Sequence, residues 1–285
     1  MPAKKRIAIL FHEHHKRDEL SRYAITFLAE YWRADGHDVR FVFGVKKFVP
    51  ADLALLHIDL SVLPAEYLEF AERYPIVLNG AARDIRKSTF SRNLVKPDDP
   101  YDGQVIVKSD LNYAGLPERS IYSSPFANLP KWLQKFLPRR RDSILRFETP
   151  MDYQIYDHLS DVPQACFKYN ELVVEKFLPE KESDLYFVRN YEFLGNRETC
   201  TRLASRHPIV NDRTLISSSD VVPHPEIIAL RKEMKFDYGK FDYVIHGTKA
   251  ILLDTNKTIG ASAVSTPELE ARRRRRADGI YYYFR

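Results

Sequence analysis

Residues 236–256 read FDYGKFDYVIHGTKAILLDTN and contain two apolar runs separated by a short turn. The runs at 241–245 and 250–253 are rich in aromatic and aliphatic residues, and His246-Gly247-Thr248 lies between them. Two such runs joined by a glycine-containing turn predict a β-hairpin. Asp242 then lies in the first strand, and Asp254 and Asn256 end the second.

The hairpin brings polar side chains to one face of a sheet. Asp242 and Asp254 can lie side by side in antiparallel pairing, and Asp254 and Asn256 point to the same face because they are two residues apart. Hard oxygen ligands of this kind suit Mg²⁺, with Mn²⁺ as an alternative, together with substrate phosphates. The sequence therefore predicts a metal site at these three residues. The alternative for Asp254 is an ordinary cap or turn residue at a strand end.

Four further segments precede this hairpin, and they are Asn79–Phe90, Val105–Lys108, Ser109–Glu118 and Leu172–Glu180. Together with the hairpin, and in this order, they resemble the ATP-grasp superfamily over roughly residues 75–260. The resemblance is to its carboxylate–amine ligases, the group of ribosomal-protein-modifying glutamate ligase, glutathione synthetase and D-alanine–D-alanine ligase.

The resemblance implies an α/β (α+β) fold, namely the ATP-grasp fold with a small N-terminal α/β pre-grasp domain. The order of apolar runs over residues 1–80 is β-α-β-β-α-β, which is typical of such a layer. We expect the N-terminal domain at 1–80, a small nucleotide-lid subdomain at 81–170 and a C-terminal subdomain with the metal site at 171–285.

The resemblance also implies where ATP binds. Lys87 and Lys108 would contact the phosphates, whereas lysines are otherwise most often solvated surface residues. The segment Ser109–Glu118 would cover the phosphates and exclude water, although it has one glycine where many relatives have more. The other expected nucleotide contacts are Asn112 and Gly115 in that segment, Lys176 and Phe177 at the adenine, Glu175 at the adenine amino group or near the ribose, and Glu182 and Asp184 at the ribose.

Three cations are candidates for stabilising the charge that develops during phosphoryl transfer. Arg189 lies in a strand with apolar alternate residues and is expected to project into a cleft. Lys240 is two residues from Asp242 and therefore shares its face. Arg202 is the third candidate, with an ordinary salt bridge as its alternative. Glu175 can instead be an exposed strand residue, and Glu182 and Asp184 can be turn residues.

Composition is that of a soluble globular protein, with 44% hydrophobic and 29% charged residues. No apolar run approaches the roughly 20 residues needed to span a membrane, and the N-terminus leads directly into a strand, so we expect neither a membrane segment nor a signal peptide. The chain has two isolated cysteines, Cys166 and Cys200, which fits a reducing cytoplasm.

Three further features have open interpretations. The loop His12–His15 can contact an acceptor substrate or be a plain polar loop, and lacks partners for a metal site. The run Arg272–Arg276 follows acidic residues in a helix and is typical of a solvated basic helix end, with an anionic partner as the alternative. The aromatic run Tyr281–Phe284 can pack on the body of the protein or against a partner, which leaves a homodimer open.

The sequence therefore predicts an ATP-dependent ligase that joins a carboxylate to an amine or thiol through an acylphosphate. Its substrates would be small molecules or peptides, with no specific nucleic acid and no membrane as partners. Basic residues between 120 and 165, at Lys131, Lys135 and Arg139–Arg141, hint at an anionic substrate. The alternatives are an ATP-grasp kinase that phosphorylates a small molecule and a non-catalytic nucleotide-binding module.

Overall fold

The computed structural model describes residues 3–122, 147–261 and 266–284, and the chain divides into two compact units. Unit 1 comprises Met1–Ile85 and Pro179–Arg285, and unit 2 comprises Arg86–Leu178. The basic residues Lys131, Lys135 and Arg139–Arg141 lie outside the described residues. In the part of the chain that the structure describes, no helix is both long and apolar enough to cross a membrane.

The N-terminal layer of unit 1 is a parallel sheet with the strand order β2-β1-β3-β4. Strand β1 reads IAILF after its first residue and is buried at all five of these positions, as expected for a strand covered on both faces. The predicted β-α-β-β-α-β order is confirmed. The elements are β1 (Arg6–Phe11), a 3-10 helix (Arg17–Arg22), α1 (Ala24–Ala34), β2 (Asp38–Phe43), β3 (Leu53–Leu56), α2 (Ala65–Ala71) and β4 (Val77–Leu78).

Unit 2 is built on a three-stranded antiparallel sheet in the order β6-β5-β7. Its core includes Val105 and Val107 of the central strand, together with Leu159 and Cys166 from the connecting turns. The elements are α3 (Lys87–Phe90), β5 (Val105–Ser109), α4 (Leu116–Ile121), β6 (Gln154–Tyr156) and β7 (Leu172–Lys176), with 3-10 helices at Asn112–Gly115, Pro150–Asp152, Leu159–Asp161 and Gln164–Phe167.

The C-terminal part of unit 1 is an antiparallel sheet in the order β11-β10-β9-β12-β13, with β8 also paired to β9. Strands β12 and β13 form the predicted hairpin, which is confirmed. The elements are β8 (Glu180–Glu182), β9 (Leu185–Leu194), β10 (Arg197–Ser205), β11 (Ser217–Asp220), α5 (Pro225–Glu233), β12 (Tyr238–His246), β13 (Lys249–Asn256), α6 (Pro267–Ala277) and a 3-10 helix (Asp278–Phe284).

The core of unit 1 joins its two sheets through α1 and the C-terminal segment. Trp32 is fully buried, and its indole N–H donates to the carbonyl of Ala277 at 2.8 Å. Tyr281, Tyr283 and Phe284 pack against the same core. The C-terminal aromatic run therefore packs on its own unit, the first of the two interpretations that the sequence left open.

Helix α6 begins after Thr266, whose side chain accepts a hydrogen bond from the backbone N–H of Leu269. Its arginines do not form a solvated basic end. Arg273 and Arg276 are about 95% buried, and Arg276 donates to Glu192 on the sheet. The expectation of a solvated run is therefore wrong for these two residues, because α6 lies against β9 and β10, and it holds for the exposed Arg275.

Candidate metal and nucleotide sites

One face of the C-terminal sheet carries a group of polar residues at its centre. Asp242 lies directly opposite Asp254 across the β12–β13 pair, and Lys240 lies opposite Asn256. On the other side of β12, Asn190 of β9 lies opposite Asp242. Residues directly opposite each other in an antiparallel sheet share a face. We call these five residues the polar face.

A β-bulge places Asp254 on this face. Nearer the turn, Tyr243 pairs with Leu252, and continuing that register would set Leu253 opposite Asp242. The register instead shifts between Asp242 and Tyr243, so that Leu253 is the extra residue and Asp254 meets Asp242. Because a shift of one residue moves a side chain to the other face, this bulge brings the two carboxylates together.

The carboxylate of Asp242 is bound at both oxygens by neighbouring side chains. Lys240 Nζ lies 3.0 Å from Oδ2, and the Asn190 amide donates to Oδ1 at 2.8 Å. Burial raises the pKa of Asp242 and the charge of Asp254 adds to this shift, although Lys240 opposes it. A divalent cation would relieve the repulsion between these two carboxylates.

The donor set fits magnesium better than a transition metal. Within residues 3–122, 147–261 and 266–284, no three His, Cys, Asp or Glu side chains gather into a metal-binding group. The predicted set has two carboxylates, Asp242 and Asp254, and completes its oxygen ligands with the amide of Asn256. Mg²⁺ binds proteins through one or two carboxylates while keeping waters and substrate phosphates as its remaining ligands. The residues present therefore fit Mg²⁺.

The opposite face of the same sheet carries Arg189 and Arg202. Arg189 is one residue from Asn190 and pairs in register with Arg202, so both arginines point away from the polar face. Arg189 donates twice to Glu180, at 3.0 and 2.9 Å, and Arg202 Nε donates to it at 2.7 Å. We call these three residues the Glu180 cluster. The structure does not bring its arginines together with Lys240 or Asp242, and Arg202 makes the salt bridge that was its alternative.

Glu180 is 6% exposed and fully engaged. It also accepts a hydrogen bond from the backbone N–H of Ile245 at 2.8 Å. Burial alone would raise the pKa of this carboxyl. The hydrogen bonds from Arg189, Ile245 and Arg202 outweigh burial, so the pKa of Glu180 is lowered. The cluster therefore has the properties of a structural ion pair.

Glu182 and Asp184 lie at the exposed end of β8 and in the turn after it. Glu182 pairs with Arg202 and is 66% exposed, and Asp184 pairs with Arg206 at 3.2 Å and is 71% exposed. Both side chains are accessible to a ligand. Their contact with ribose stays a prediction.

In unit 2, Lys108 and Glu175 form a buried ion pair between neighbouring strands, with side-chain exposures of 8% and 4%. Glu175 is therefore not the exposed strand residue of its alternative interpretation. Lys87 is also buried, at 1% exposure, and its Nζ donates to the carbonyl of Leu111 at 3.1 Å. Asp110 fixes the start of α3 by accepting from the N–H and hydroxyl of Ser88. Neither lysine is a solvated surface residue, and both are engaged within unit 2, so their contact with phosphate stays a prediction.

The end of β7 differs from what an adenine-binding edge requires. The backbone N–H of Lys176 donates to the backbone carbonyl of Asn93, and that of Phe177 donates to the backbone carbonyl of Gln104, each at 2.8 Å. These two donors are engaged within unit 2, so they are not the groups that would face adenine in this conformation. Lys176 Nζ lies 4.9 Å from the ring centroid of Tyr101.

The segment after Lys108 is more ordered than a glycine-rich loop. A 3-10 helix over Asn112–Gly115 leads into α4. Tyr113, Ala114 and Gly115 have φ angles of 45°, 56° and 72°. Such left-handed conformations are costly for residues other than glycine and concentrate at ligand-binding segments. Asn112 and Gly115 are buried here, and their contact with phosphate stays a prediction.

The histidine loop packs into an aromatic cluster at the end of β1. The ring of His15 lies 5.4 Å from that of Phe11 and 5.2 Å from that of Tyr23. The ring of His57 lies 5.0 Å from that of Phe11 and 5.0 Å from that of Tyr23. Burial lowers the pKa of His15, and it lowers that of His57 to about 3, so both rings are neutral near pH 7. Sequence reasoning did not single out His57.

Sequence reasoning also missed Asn190, which belongs to the polar face. Its neighbour Arg189 has the more conspicuous side chain for phosphate chemistry and was chosen instead. The residue pattern of β9 alone gives no signal that separates the two, because the choice depends on the pairing of β9 with β12.

Comparisons with known proteins are informative for structure only. No protein-family model and no curated protein matches the sequence. The structure is similar to D-alanyl-alanine synthetase A from Vibrio cholerae, with a TM-score of 0.51 and 11% identity over 98% of this chain and 96% of that chain.

Two further solved structures are similar over nearly their whole length. One is a RimK-domain ATP-grasp protein from Sphaerobacter thermophilus, with a TM-score of 0.48 and 14% identity over 98% of both chains. The other is D-alanine–D-alanine ligase from Bacillus anthracis complexed with ATP, with a TM-score of 0.46 and 12% identity over 97% of this chain and 96% of that one. The predicted fold class is confirmed, and the chain has the ATP-grasp fold.

Proposed function

We propose that this chain, which has the ATP-grasp fold, is an ATP-dependent ligase that joins a carboxylate to an amine or a thiol. The observation that carries the proposal is the polar face, where a bulge sets Asp254 opposite Asp242 and leaves Asn256 beside them. A bulge costs ladder hydrogen bonds and is over-represented next to active sites. The likeness to ATP-grasp ligases supports the reaction class at the level of the fold.

The proposed reaction has two steps. The carboxylate oxygen of the first substrate attacks the γ-phosphorus of ATP, the bond to the bridging oxygen breaks, and ADP leaves. The nitrogen or sulfur of the second substrate then attacks the acylphosphate carbon, phosphate leaves, and the proton lost by the nucleophile is taken up by phosphate. No covalent bond to the protein forms, so the chain acts by positioning groups and stabilising charge.

Several of the described side chains have roles in this proposed reaction. Asp242, Asp254 and Asn256 would hold Mg²⁺, which when bound neutralises the phosphate oxygens. Lys240 supplies a positive charge on the same face, and Lys87 and Lys108 are the proposed phosphate contacts in unit 2. The substrates we propose are amino acids, short peptides or related small molecules.

The proposal is tested by ATP consumption with Mg²⁺ across a pool of amino acids and short peptides, with product masses recorded. The wild type is compared with Asp254→Asn, which keeps the shape of the side chain and removes its charge. The matched control is Asp98→Asn at an exposed position. We expect ADP and a condensed product from the wild type and the control, and neither from Asp254→Asn.

Other outcomes would overturn the proposal. A product heavier by one phosphate, without condensation, would identify a kinase. If the wild type binds ATP without consuming it, the chain is a non-catalytic nucleotide-binding module, and if it does not bind ATP, the proposal fails. If Asp254→Asn is as active as the wild type, the polar face is not the metal site.

A further inference from the structure

A chain of hydrogen bonds within unit 1 connects Asn256 to the N-terminal layer. The Oδ1 atom of Asn256 accepts the backbone N–H of Thr258 at 3.0 Å and lies 3.1 Å from the Thr258 hydroxyl. That hydroxyl lies 2.6 Å from Oδ1 of Asp59. The other carboxylate oxygen of Asp59 accepts the hydroxyl of Tyr23 at 2.7 Å. The sequence alone gave no reason to select Asp59 or Thr258.

The Thr258 hydroxyl has one proton and two acceptors within reach. Its contact with the Asp59 carboxylate is shorter by half an ångström than that with Asn256. Hydrogen bonds from a hydroxyl to a carboxylate are short and about twice as strong as those to a neutral amide. The proton therefore points to Asp59 and away from Asn256.

Tyr23 does not compete for the same carboxylate oxygen. Its hydroxyl binds Oδ2 of Asp59, whereas Thr258 binds Oδ1. Burial raises the pKa of Tyr23 and the charge of Asp59 raises it further, so Tyr23 keeps its proton and remains a donor. The charge of Asp59 also acts on His15, which burial keeps neutral.

The direction of the Thr258 hydroxyl decides what the Asn256 amide oxygen can bind. A carbonyl oxygen has two lone pairs, and the Thr258 N–H occupies one of them. While the hydroxyl is bound to Asp59, the second lone pair remains available to a cation. Without Asp59, the hydroxyl would turn to Asn256 and occupy that lone pair as well.

We propose that Asp59 is a positioning residue of the metal site, which holds the Thr258 hydroxyl away from Asn256 so that the amide oxygen can ligate a divalent cation. The inference rests on the proposed function, in which Asn256 is a metal ligand. It gives Asp59, in the loop after β3, a role in metal binding that acts through Thr258 and Asn256.

The test is Mn²⁺ affinity, measured by electron paramagnetic resonance in the presence of a non-hydrolysable ATP analogue. Removal of a residue that orients a metal ligand typically weakens binding 10–100-fold, and we expect about tenfold for Asp59→Ala. We expect Thr258→Val to bind within about twofold of the wild type, because the backbone N–H is retained and no hydroxyl competes for the amide oxygen.

The double variant Asp59→Ala/Thr258→Val decides between this role and a simple effect of charge. With no hydroxyl left to turn, we expect its affinity to return to within about twofold of the wild type. If the double variant binds as weakly as Asp59→Ala, the proposal is overturned and Asp59 acts through its charge. If Asp59→Ala does not fold, a loss of fivefold or more in Thr258→Val alone contradicts the proposal.

The same titration separates this inference from the proposed function. If the wild type binds no Mn²⁺ with the analogue, or if Asn256→Ala binds as tightly as the wild type, both fail. If the wild type binds, Asn256→Ala is weak and Asp59→Ala is unchanged, the metal site stands and only the role of Asp59 is refuted.

Discussion

The two faces of the C-terminal sheet differ in how their charged side chains are paired. In the Glu180 cluster, one buried carboxylate is matched by two arginines and a backbone N–H. On the polar face, Asp242 and Asp254 lie opposite each other, and Lys240 Nζ lies 3.0 Å from Asp242. The carboxylate of Glu180 accepts all of these hydrogen bonds within the protein, whereas on the polar face two carboxylates lie opposite each other, and the side chains of Asp242 and Lys240 are 22% exposed.

The two faces therefore differ in what a bound ligand can contribute. A charge group that is already satisfied gains little from a ligand, and breaking it costs stability. A group of like charges is unfavourable in the empty protein and becomes favourable when a cation binds. Arginine is well suited to phosphoryl transfer by residue type, yet in this sheet the arginines belong to the satisfied group.

The largest effect should follow Asp242→Asn. Loss of a metal ligand is expected to reduce ATP turnover on the order of 1000-fold, about 4 kcal/mol in the barrier. Because burial and Asp254 already disfavour the charge of Asp242, the free energy of unfolding should change by less than about 1 kcal/mol. Steady-state ADP release and urea denaturation measure the two quantities. Turnover within tenfold of the wild type would place the metal elsewhere.

For Glu180→Ala we expect the main effect on stability rather than on ATP turnover. Without the Glu180 carboxylate, Arg189 and Arg202 lose their shared partner at side-chain exposures of 20% and 18%. The protein should therefore lose about 3 kcal/mol of stability. Glu182→Ala is the matched control on the same strand, and its 66% exposure predicts a change within about 0.5 kcal/mol. Urea denaturation of both variants provides the comparison. If Glu180→Ala is as stable as Glu182→Ala, the cluster is not structural.

A third prediction concerns the buried arginines of α6. Arg276 is 5% exposed and donates to Glu192 and Thr199, so Arg276→Ala should cost about 2 kcal/mol by leaving these acceptors unpaired. Arg275 is exposed, and Arg275→Ala should be neutral within about 0.5 kcal/mol. Thermal unfolding of the pair tests this. Equal melting temperatures would restore the interpretation of a solvated basic helix end.

The smallest effect is a difference in the pH dependence of stability. The pKa of Glu180 is lowered in the folded protein from its ordinary value of 4.5, so its contribution is fully present above that value and is lost as the pH falls through the folded pKa. Glu180→Gln lacks this titration. The stability gap between the wild type and Glu180→Gln should therefore shrink below about pH 4.5, as measured by urea titrations from pH 7 to pH 3. If this stability gap does not change with pH, the charge of Glu180 does not contribute to stability.

Much of the fold could be predicted because local patterns and long-range packing agree. The apolar runs of the N-terminal layer and the hairpin at residues 238–256 are readable from residue type and turn chemistry. The face shared by Asp254 and Asn256 follows from the two-residue period of a strand.

The rest of the site depended on register, which a single sequence does not give. Asn190 and Arg189 are neighbours, and the pairing of β9 with β12 decides which of them faces Asp242. The meeting of Asp242 with Asp254 requires the bulge at Leu253. Likewise, the acidic start and basic end of α6 are a local signal, whereas the burial of Arg276 depends on where the helix packs.

The central claim is that the polar face, and not the face of the Glu180 cluster, binds the metal. It is tested most directly by isothermal titration calorimetry of Mg²⁺ with a non-hydrolysable ATP analogue, comparing the wild type, Asp254→Asn and Arg189→Gln. We expect Asp254→Asn to lose about 100-fold or more in affinity, whereas Arg189→Gln should stay within about threefold of the wild type. Unchanged affinity in Asp254→Asn, together with a large loss in Arg189→Gln, would contradict this claim.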